Sequence, residues 1–228
     1  SGCPSDQYYA GETITFTPNP ASGYHLERWE GTNATQSNVL TMPDANTTVT
    51  AVYTANAATG KYDDRHTQLI YTGSWQDYNG SGPYLNTLKY STAIGSTVKF
   101  YFTGSGVKLT FAKAYSYGNM TIQIDSGTPI TLNQYAASQT LLWQQTWTSN
   151  VLTNSDHVLT LTHTSGSFVT IDAIEVLGPP ICRTLTRAYS GNGSSPTANP
   201  ANSSGCPSDQ YYAGETITFT PNPASGYH

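Results

Sequence analysis

The chain has 228 residues, enough for one or two domains with a sizeable core and too few for a large multidomain enzyme. Only 10% are charged, with 9 Lys and Arg against 14 Asp and Glu, and the basic residues do not cluster. That excludes a nucleic-acid surface and a basic patch for anionic lipid. No stretch approaches the length of an apolar membrane span, so no membrane insertion is expected, and any export signal is expected outside this sequence. Thr (35) and Ser (23) make up a quarter of the chain, and 17 Tyr outnumber 6 Phe and 4 Trp. So many β-branched and aromatic residues on a weakly charged chain imply an ordered, β-rich, polar-surfaced protein of the kind found outside cells.

In chain order, residues 13–17 and 48–53 alternate apolar with polar side chains, and a small-residue linker, 55–60, follows. Alternation returns at 98–102, 107–111, 120–124, 157–163 and 169–176. Turn chemistry separates the runs at Asn79-Gly80, Gly104-Ser105-Gly106, Asp125-Ser126-Gly127 and Ser165-Gly166. Short strands so spaced predict a sandwich or barrel. A stiff Gly178-Pro179-Pro180 linker closes this region, and a Gly/Ser/Asn/Pro-rich loop is predicted over 191–204.

Residues 204–228 repeat residues 1–25 letter for letter, at an offset of 203. Chance does not produce such an identity, so the sequence reads as one period and the start of the next. Two readings stay open: a window on a tandem array, or a protomer whose ends complete one domain with neighbouring copies. Cys182 and Cys206 flank the 191–204 loop and are expected to form a disulfide in an oxidising compartment. Cys3 is the repeat-equivalent of Cys206, so its expected partner is Cys182 of a preceding unit; three free buried thiols are the alternative.

The smaller domain, running from residue 181 through the repeat junction to residue 55, resembles the divergent internalin B-type repeat, a small β-grasp-like module of bacterial surface proteins. The residues that carry the resemblance are Leu185-Thr186 with Gly191-Asn192-Gly193, the run 9–18, Gly23-Tyr24-His25-Leu26 with Trp29-Glu30-Gly31, and the run 42–53. The resemblance implies spacing or adhesion and assigns Tyr24 and Trp29 to packing. Residues 61–177 look like a galactose-binding-like jelly roll of the carbohydrate-binding-module kind. Here the carriers are Tyr62-Asp63-Asp64, Tyr71-Thr72-Gly73-Ser74-Trp75, the runs 143–147 and 157–161, and the closing 171–176. The expected fold is all-β: a jelly-roll β-sandwich plus a small β-grasp-like repeat domain split across the termini. Residues 1–55 are its C-terminal part and 181–228 the N-terminal part of the next.

Catalytic marks are sparse, and the chain is expected not to be an enzyme. His157 and His163 share a strand face, but no Cys or carboxylate follows at a zinc-ligand spacing. There is no Gly-x-Ser-x-Gly elbow and no phosphate loop. The jelly-roll resemblance implies a structural Ca²⁺ that clips the first and last strands through hard oxygen ligands. It places that role on Asp64 and Asp172, with Asp63 and Glu175 behind them. For glycan contact the candidates are Trp75, Tyr78 and Tyr84, with Tyr115 and Tyr117 in nearby loops, while Trp143 and Trp147 are assigned to the core. Asn33, Asn46, Asn79, Asn119, Asn192 and Asn202 fit the glycosylation acceptor pattern. The expected role is a structural repeat unit of an extracellular or cell-surface fibre, stalk or adhesin, whose partners are copies of itself. The alternative is a glycan-binding array or an accessory region of a secreted polysaccharide-active enzyme.

Overall fold

The computed structural model describes residues 3–34, 37–137 and 140–227. The chain gathers into two compact units, Ser1–Gly178 and Pro179–His228. Among the described residues, no helix is long and apolar enough to cross a membrane.

The first unit opens with β1 (Thr13–Thr15), β2 (Tyr24–Glu30), β3 (Val39–Thr41) and β4 (Thr50–Ala55). β1 pairs antiparallel with β3, and β2 with β4. Trp29 and Leu40 are buried between these ribbons, and Phe16 packs on the Trp29 indole at 5.7 Å. Tyr24, expected to pack, stays at the surface, because the alternation along β2 turns His25 inward in its place.

Twelve strands then build a sandwich. They are β5 (Gly60–Asp63), β6 (Leu69–Thr72), β7 (Gln76–Asn79), β8 (Thr87–Ser91), β9 (Thr97–Gly104) and β10 (Gly106–Lys113), followed by β11 (Asn119–Ile124), β12 (Ile130–Asn133), β13 (Leu142–Thr148), β14 (Ser155–Ser165), β15 (Val169–Ile171) and β16 (Ala173–Leu177). One sheet has the order β12-β11-β14-β9-β6, the other β13-β10-β16-β5, and a three-stranded β15-β8-β7 sheet accompanies them. Period-two alternation turns Val98, Phe100 and Phe102 of β9 inward with Leu159 and Leu161 of β14. In the same core cluster stand Val107, Leu109 and Phe111 of β10 and Ile174 and Val176 of β16. One buried amide is fully used: Gln134 accepts the Thr170 N–H at 2.7 Å and donates to the Thr170 carbonyl at 3.0 Å. A polar group at this depth is tolerable only when paired in this way.

The segment 55–60, read as a linker, is built into the sandwich. Ala57 is buried, donates to the Tyr101 carbonyl and accepts from Thr103, both at 2.9 Å. Beside it His25 stacks on Tyr101 with centroids 3.9 Å apart, and its Nδ1 lies 2.8 Å from Asn56 Oδ1. The Asp156 carboxylate accepts from Gly23 N–H at 2.7 Å, Asn56 at 3.0 Å and the Thr103 hydroxyl at 2.6 Å. Partial burial works to raise the Asp156 pKa, and these hydrogen bonds outweigh it and hold the carboxyl below its ordinary value.

The second unit contains β17 (Arg183–Thr184) paired with β19 (Gln210–Tyr211), and β18 (Gly193–Asn199) paired with β20 (Thr218–Pro223). Residues 193–199, read as loop, are therefore a strand. Their Ser/Thr/Pro composition gives no alternation, and the ladder with β20 imposes the extended form. Cys182 and Cys206 form a disulfide with Cα atoms 5.8 Å apart, and Cys3 is a free, half-buried thiol.

Phe100 sits at the centre of the core, so Phe100→Ala is expected to cost ~3–5 kcal/mol in chemical denaturation. A loss under about 1 kcal/mol would place the core elsewhere. For Asp156 the depressed pKa means that its contribution is present at neutral pH and lost as pH falls through the folded value. Asp156→Ala is accordingly expected to speed hydrogen exchange at the Gly23 amide at pH 7. Unchanged exchange would remove Asp156 as the anchor of the first 55 residues.

Candidate functional site

An aromatic pocket of about 330 Å³ opens on the sandwich, within the size range of small-ligand sites. The β7–β8 hairpin contributes Tyr78 and Tyr90, the start of β13 contributes Trp143, and the flanking loops contribute Ser116, Tyr117 and Phe168. Tyr78 and Trp143 stand 5.3 Å apart between ring centroids, Tyr117 and Phe168 5.9 Å, and Tyr90 and Phe168 6.1 Å. The loops are held together by backbone contacts, since Gly118 N–H donates to the Phe168 carbonyl at 2.8 Å. Burial, then the neighbouring Tyr78 and Tyr90 phenols, push the Tyr117 hydroxyl up to about 12. It therefore remains a protonated donor at physiological pH. Ring faces beside several hydroxyls suit a ligand that is apolar on one face and hydroxylated at its edges.

Two details explain why Trp143 lies here rather than in the core with Trp147. The β10–β13 register shifts between Phe111 and Lys113, and Gln144 adopts a left-handed backbone at φ 51°. Such an irregularity re-aims the side chains beyond it, so Trp147 packs on the core while Trp143 lines the pocket. Gly82, at φ 119°, carries the ring across its backbone, and a Cβ there would run into the Trp143 indole. Gln144 Nε2 ties the Gly82 carbonyl at 3.0 Å.

The two acids singled out by the jelly-roll resemblance are both fully buried. Asp64 follows β5 and Asp172 precedes β16, and the Asp64 N–H donates to the Asp172 carbonyl at 3.0 Å. Asp64 Oδ1 accepts the Thr87 hydroxyl at 2.6 Å, and Asp172 Oδ1 accepts the Tyr84 N–H at 2.9 Å. The second oxygen of each carboxyl has no hydrogen-bond partner in the protein. Burial pushes Asp64 up to about 6, against the Thr87 hydroxyl, and Asp172 up to about 7, against the Tyr84 N–H and Lys61. Two orphaned hard oxygens beside the ends of adjacent strands fit a cation of the calcium type. Among the described residues, no group of three or more His, Cys, Asp or Glu is gathered. Any further ligands would therefore be carbonyl, hydroxyl or water oxygens. Of the other two acids, Asp63 lies beside the same Thr87 hydroxyl, at 3.1 Å, and its charge adds to the rise of both carboxyls, while Glu175 pairs with Lys108 at 3.7 Å.

Of the three residues proposed for glycan contact, Tyr78 lines the pocket and the other two lie outside it. Trp75 packs against Tyr71 and the core, and its indole N–H donates to the Thr97 carbonyl at 3.2 Å. The Tyr84 ring is covered by the Lys61 ammonium, 3.6 Å from its centroid. Tyr90, Phe168 and Trp143 were not foreseen in this role. Their sequence neighbourhoods read as strand and turn, and only the pairing of β7 with β8 and of Gly118 with Phe168 assembles them. His163 is buried with its Nε2 near the Ser165 carbonyl, and His157 pairs with Asp125 at 2.7 Å. Among the acceptor asparagines, Asn33, Asn46, Asn79 and Asn192 are exposed. Asn33 is bonded to Thr41, Asn79 to Arg65 and Asn202 to the Ser203 and Cys206 carbonyls, while Asn119 is half-buried in β11.

Residues 1–57 match the family model of the divergent InlB B-repeat domain. An A type blood N-acetyl-alpha-D-galactosamine deacetylase from Flavonifractor plautii is 30% identical over 84 residues, 36% of this chain and 11% of that protein. An A type blood alpha-D-galactosamine galactosaminidase from the same organism is 29% identical over 77 residues, 34% of this chain and 7% of that protein. The chain thus spans a small fraction of the length of these relatives. Among solved structures, a family 35 carbohydrate-binding module from an environmental isolate aligns with TM-score 0.41 and 14% identity, over 52% of this chain and 92% of that one. An exo-beta-1,3-galactanase from Phanerochaete chrysosporium aligns with TM-score 0.41 and 19% identity, over 55% of this chain and 30% of that one.

Proposed function

We propose that this chain is an extracellular glycan-binding unit of a larger carbohydrate-active protein, and that the aromatic pocket is its sugar site. The observation that carries the reading is the convergence of Tyr78, Tyr90, Tyr117, Trp143 and Phe168 around one open pocket. Sugar rings present C–H faces to such aromatics, and the Tyr and Ser116 hydroxyls meet the sugar hydroxyls. The two Flavonifractor plautii relatives, both named for A type blood and galactosamine, direct the choice of probe. The chain binds and does not cleave, so the probe is recovered intact. The Cys182–Cys206 bond supports an oxidising compartment.

A second reading, a structural repeat unit of a fibre, stalk or surface adhesin, is supported by the 25-residue identity. The two are compatible, since repeats of a weak sugar binder gain avidity. Calcium on Asp64 and Asp172 is part of the same proposal: the ion supplies positive charge between the first and last strands of the sandwich and steadies the loop carrying Tyr84.

On immobilised A type blood-group oligosaccharide, Trp143→Ala and Tyr78→Ala are each expected to weaken binding at least about tenfold, or ~1.4 kcal/mol. Tyr115→Ala, exposed and outside the pocket, leaves binding unchanged. Binding that survives Trp143→Ala, or no binding across a broad glycan panel, would refute the site. For the ion, the sign follows from the raised carboxyls. The ion-free chain loses stability as pH climbs from the ordinary carboxylate range toward about 7, because burial disfavours the ionised acids. Millimolar Ca²⁺ is therefore expected to raise Tm at pH 8 and far less at pH 5, and Asp172→Asn to abolish the rise. A Tm at pH 8 indifferent to Ca²⁺ and to chelator would remove the ion.

A further inference from the structure

The sequence that occurs twice folds against two different sets of partners. In the first copy, Thr13, Ile14 and Thr15 pair with Thr41, Leu40 and Val39 of β3. In the second, Thr218, Phe219, Thr220 and Asn222 pair with Asn199, Ala198, Thr197 and Ser194 of β18. Their counterparts in the first copy are Thr15, Phe16, Thr17 and Asn19, and residues 16–20 there belong to no strand.

The two ladders use opposite edges of the same segment. Phe16 N–H donates to the Asn38 carbonyl at 2.8 Å, so the backbone of Phe16 faces the β3 side. By alternation, Thr15, Thr17 and Asn19 face the other way. In the second copy Ala224 N–H donates to the Asn192 carbonyl at 3.2 Å, and stepping back by twos sets Asn222, Thr220 and Thr218 against β18. These are the counterparts of Asn19, Thr17 and Thr15, so one strand could hold β3 and β18 at once. At Asn19 the new pairing would replace an N–H bond to the Tyr53 hydroxyl.

Side-chain exposure is reciprocal in the same sense. Tyr211 is 4% exposed and its hydroxyl donates to the Ala201 carbonyl at 2.8 Å, whereas its counterpart Tyr8 is 42% exposed. Phe16 packs on Trp29, whereas its counterpart Phe219 is 48% exposed. Each half leaves bare the aromatic that the other half covers.

We infer that a second copy of this chain completes the first 55 residues. Its segment 181–203 docks there, with β18 adding to residues 15–19 in the register Asn199↔Thr15, Thr197↔Thr17 and Ser194↔Asn19. Tyr8 enters the position that Tyr211 occupies, and Cys3 meets Cys182 of the second copy. The contact is strand addition between unlike segments, so each copy can both give and receive a strand. Within one copy, residues 204–228 hold β18 and compete for it, with the advantage of being tethered. The inference deepens the repeat reading and is independent of sugar binding.

The test weakens the internal competitor in the full chain. Cys206→Ser leaves Cys3 and Cys182 as the two thiols, and oxidised glutathione then joins them between chains while being reduced to two glutathiones. The expected result is a ladder on non-reducing gels, with tryptic peptide 1–28 disulfide-linked to 114–183. Tyr8→Asp added to Cys206→Ser, a change at a residue exposed in the single chain, is expected to abolish the ladder. Cys206→Ser chains that stay monomeric with two titratable thiols would overturn the inference, as would a ladder indifferent to Tyr8→Asp. The wild-type chain gives a variant-free readout: hydrogen exchange at the Thr15 and Thr17 amides should slow as protein concentration rises, and exchange independent of concentration would count against the contact. Repeats counted in the flanking coding sequence would test the repeat reading separately, since they could stand with no ladder formed.

Discussion

The antiparallel register of β9 on β14, eight residue pairs from Ser155↔Gly104 to Thr162↔Thr97, is the constraint on which the first unit rests. Its inward positions supply Val98, Phe100, Phe102, Leu159 and Leu161 to the core. Its outward positions include Tyr101, on which His25 stacks, and Asp156, which accepts from Gly23 and Asn56. A one-residue slip would reverse both faces together. The sandwich core and the seating of the first 55 residues are thus set by a single ladder.

On this frame the chain carries two features that stability alone does not require. One is the pair of buried carboxyls at the ends of adjacent strands, each with an oxygen left unpartnered. Burying such a group without a partner is unfavourable, and a bound cation is the chemistry that reverses the sign. The other is a set of aromatic rings kept at the surface instead of closing on the core. Trp143 is placed there by the irregular end of β13 and by Gly82, whose missing side chain leaves room for the indole. Rigid strands behind the rings fix their faces, which is what stacking on a sugar demands.

Strands buried on one face were legible in the sequence because burial writes a period of two. Residues 98–102, 107–111, 120–124 and 157–163 fall within β9, β10, β11 and β14. Asp64 and Asp172 were singled out by resemblance, and their burial, orphaned oxygens and raised pKa values came from the structure. Residues 193–199 were not legible as a strand, because neither face is buried and only the ladder with β20 holds them extended. Trp143 and Trp147, four apart on one strand, look alike in sequence, and a backbone irregularity between them parts their roles. Of the glycan candidates, Tyr78 lines the aromatic pocket, while Trp75, outside any strand, packs against the core.

The 25-residue identity links the two units, since the same sequence pairs with β3 in one and with β18 in the other. The sugar site is the claim that most needs a direct readout, and the four tryptophans provide one. In a ¹H–¹⁵N spectrum titrated with A type blood-group oligosaccharide, the Trp143 indole N–H resonance is predicted to shift. Those of Trp29, Trp75 and Trp147, packed in the two cores, should hold still. A titration that moves Trp75 and leaves Trp143 fixed, or that moves none of the four at saturating sugar, would contradict the account.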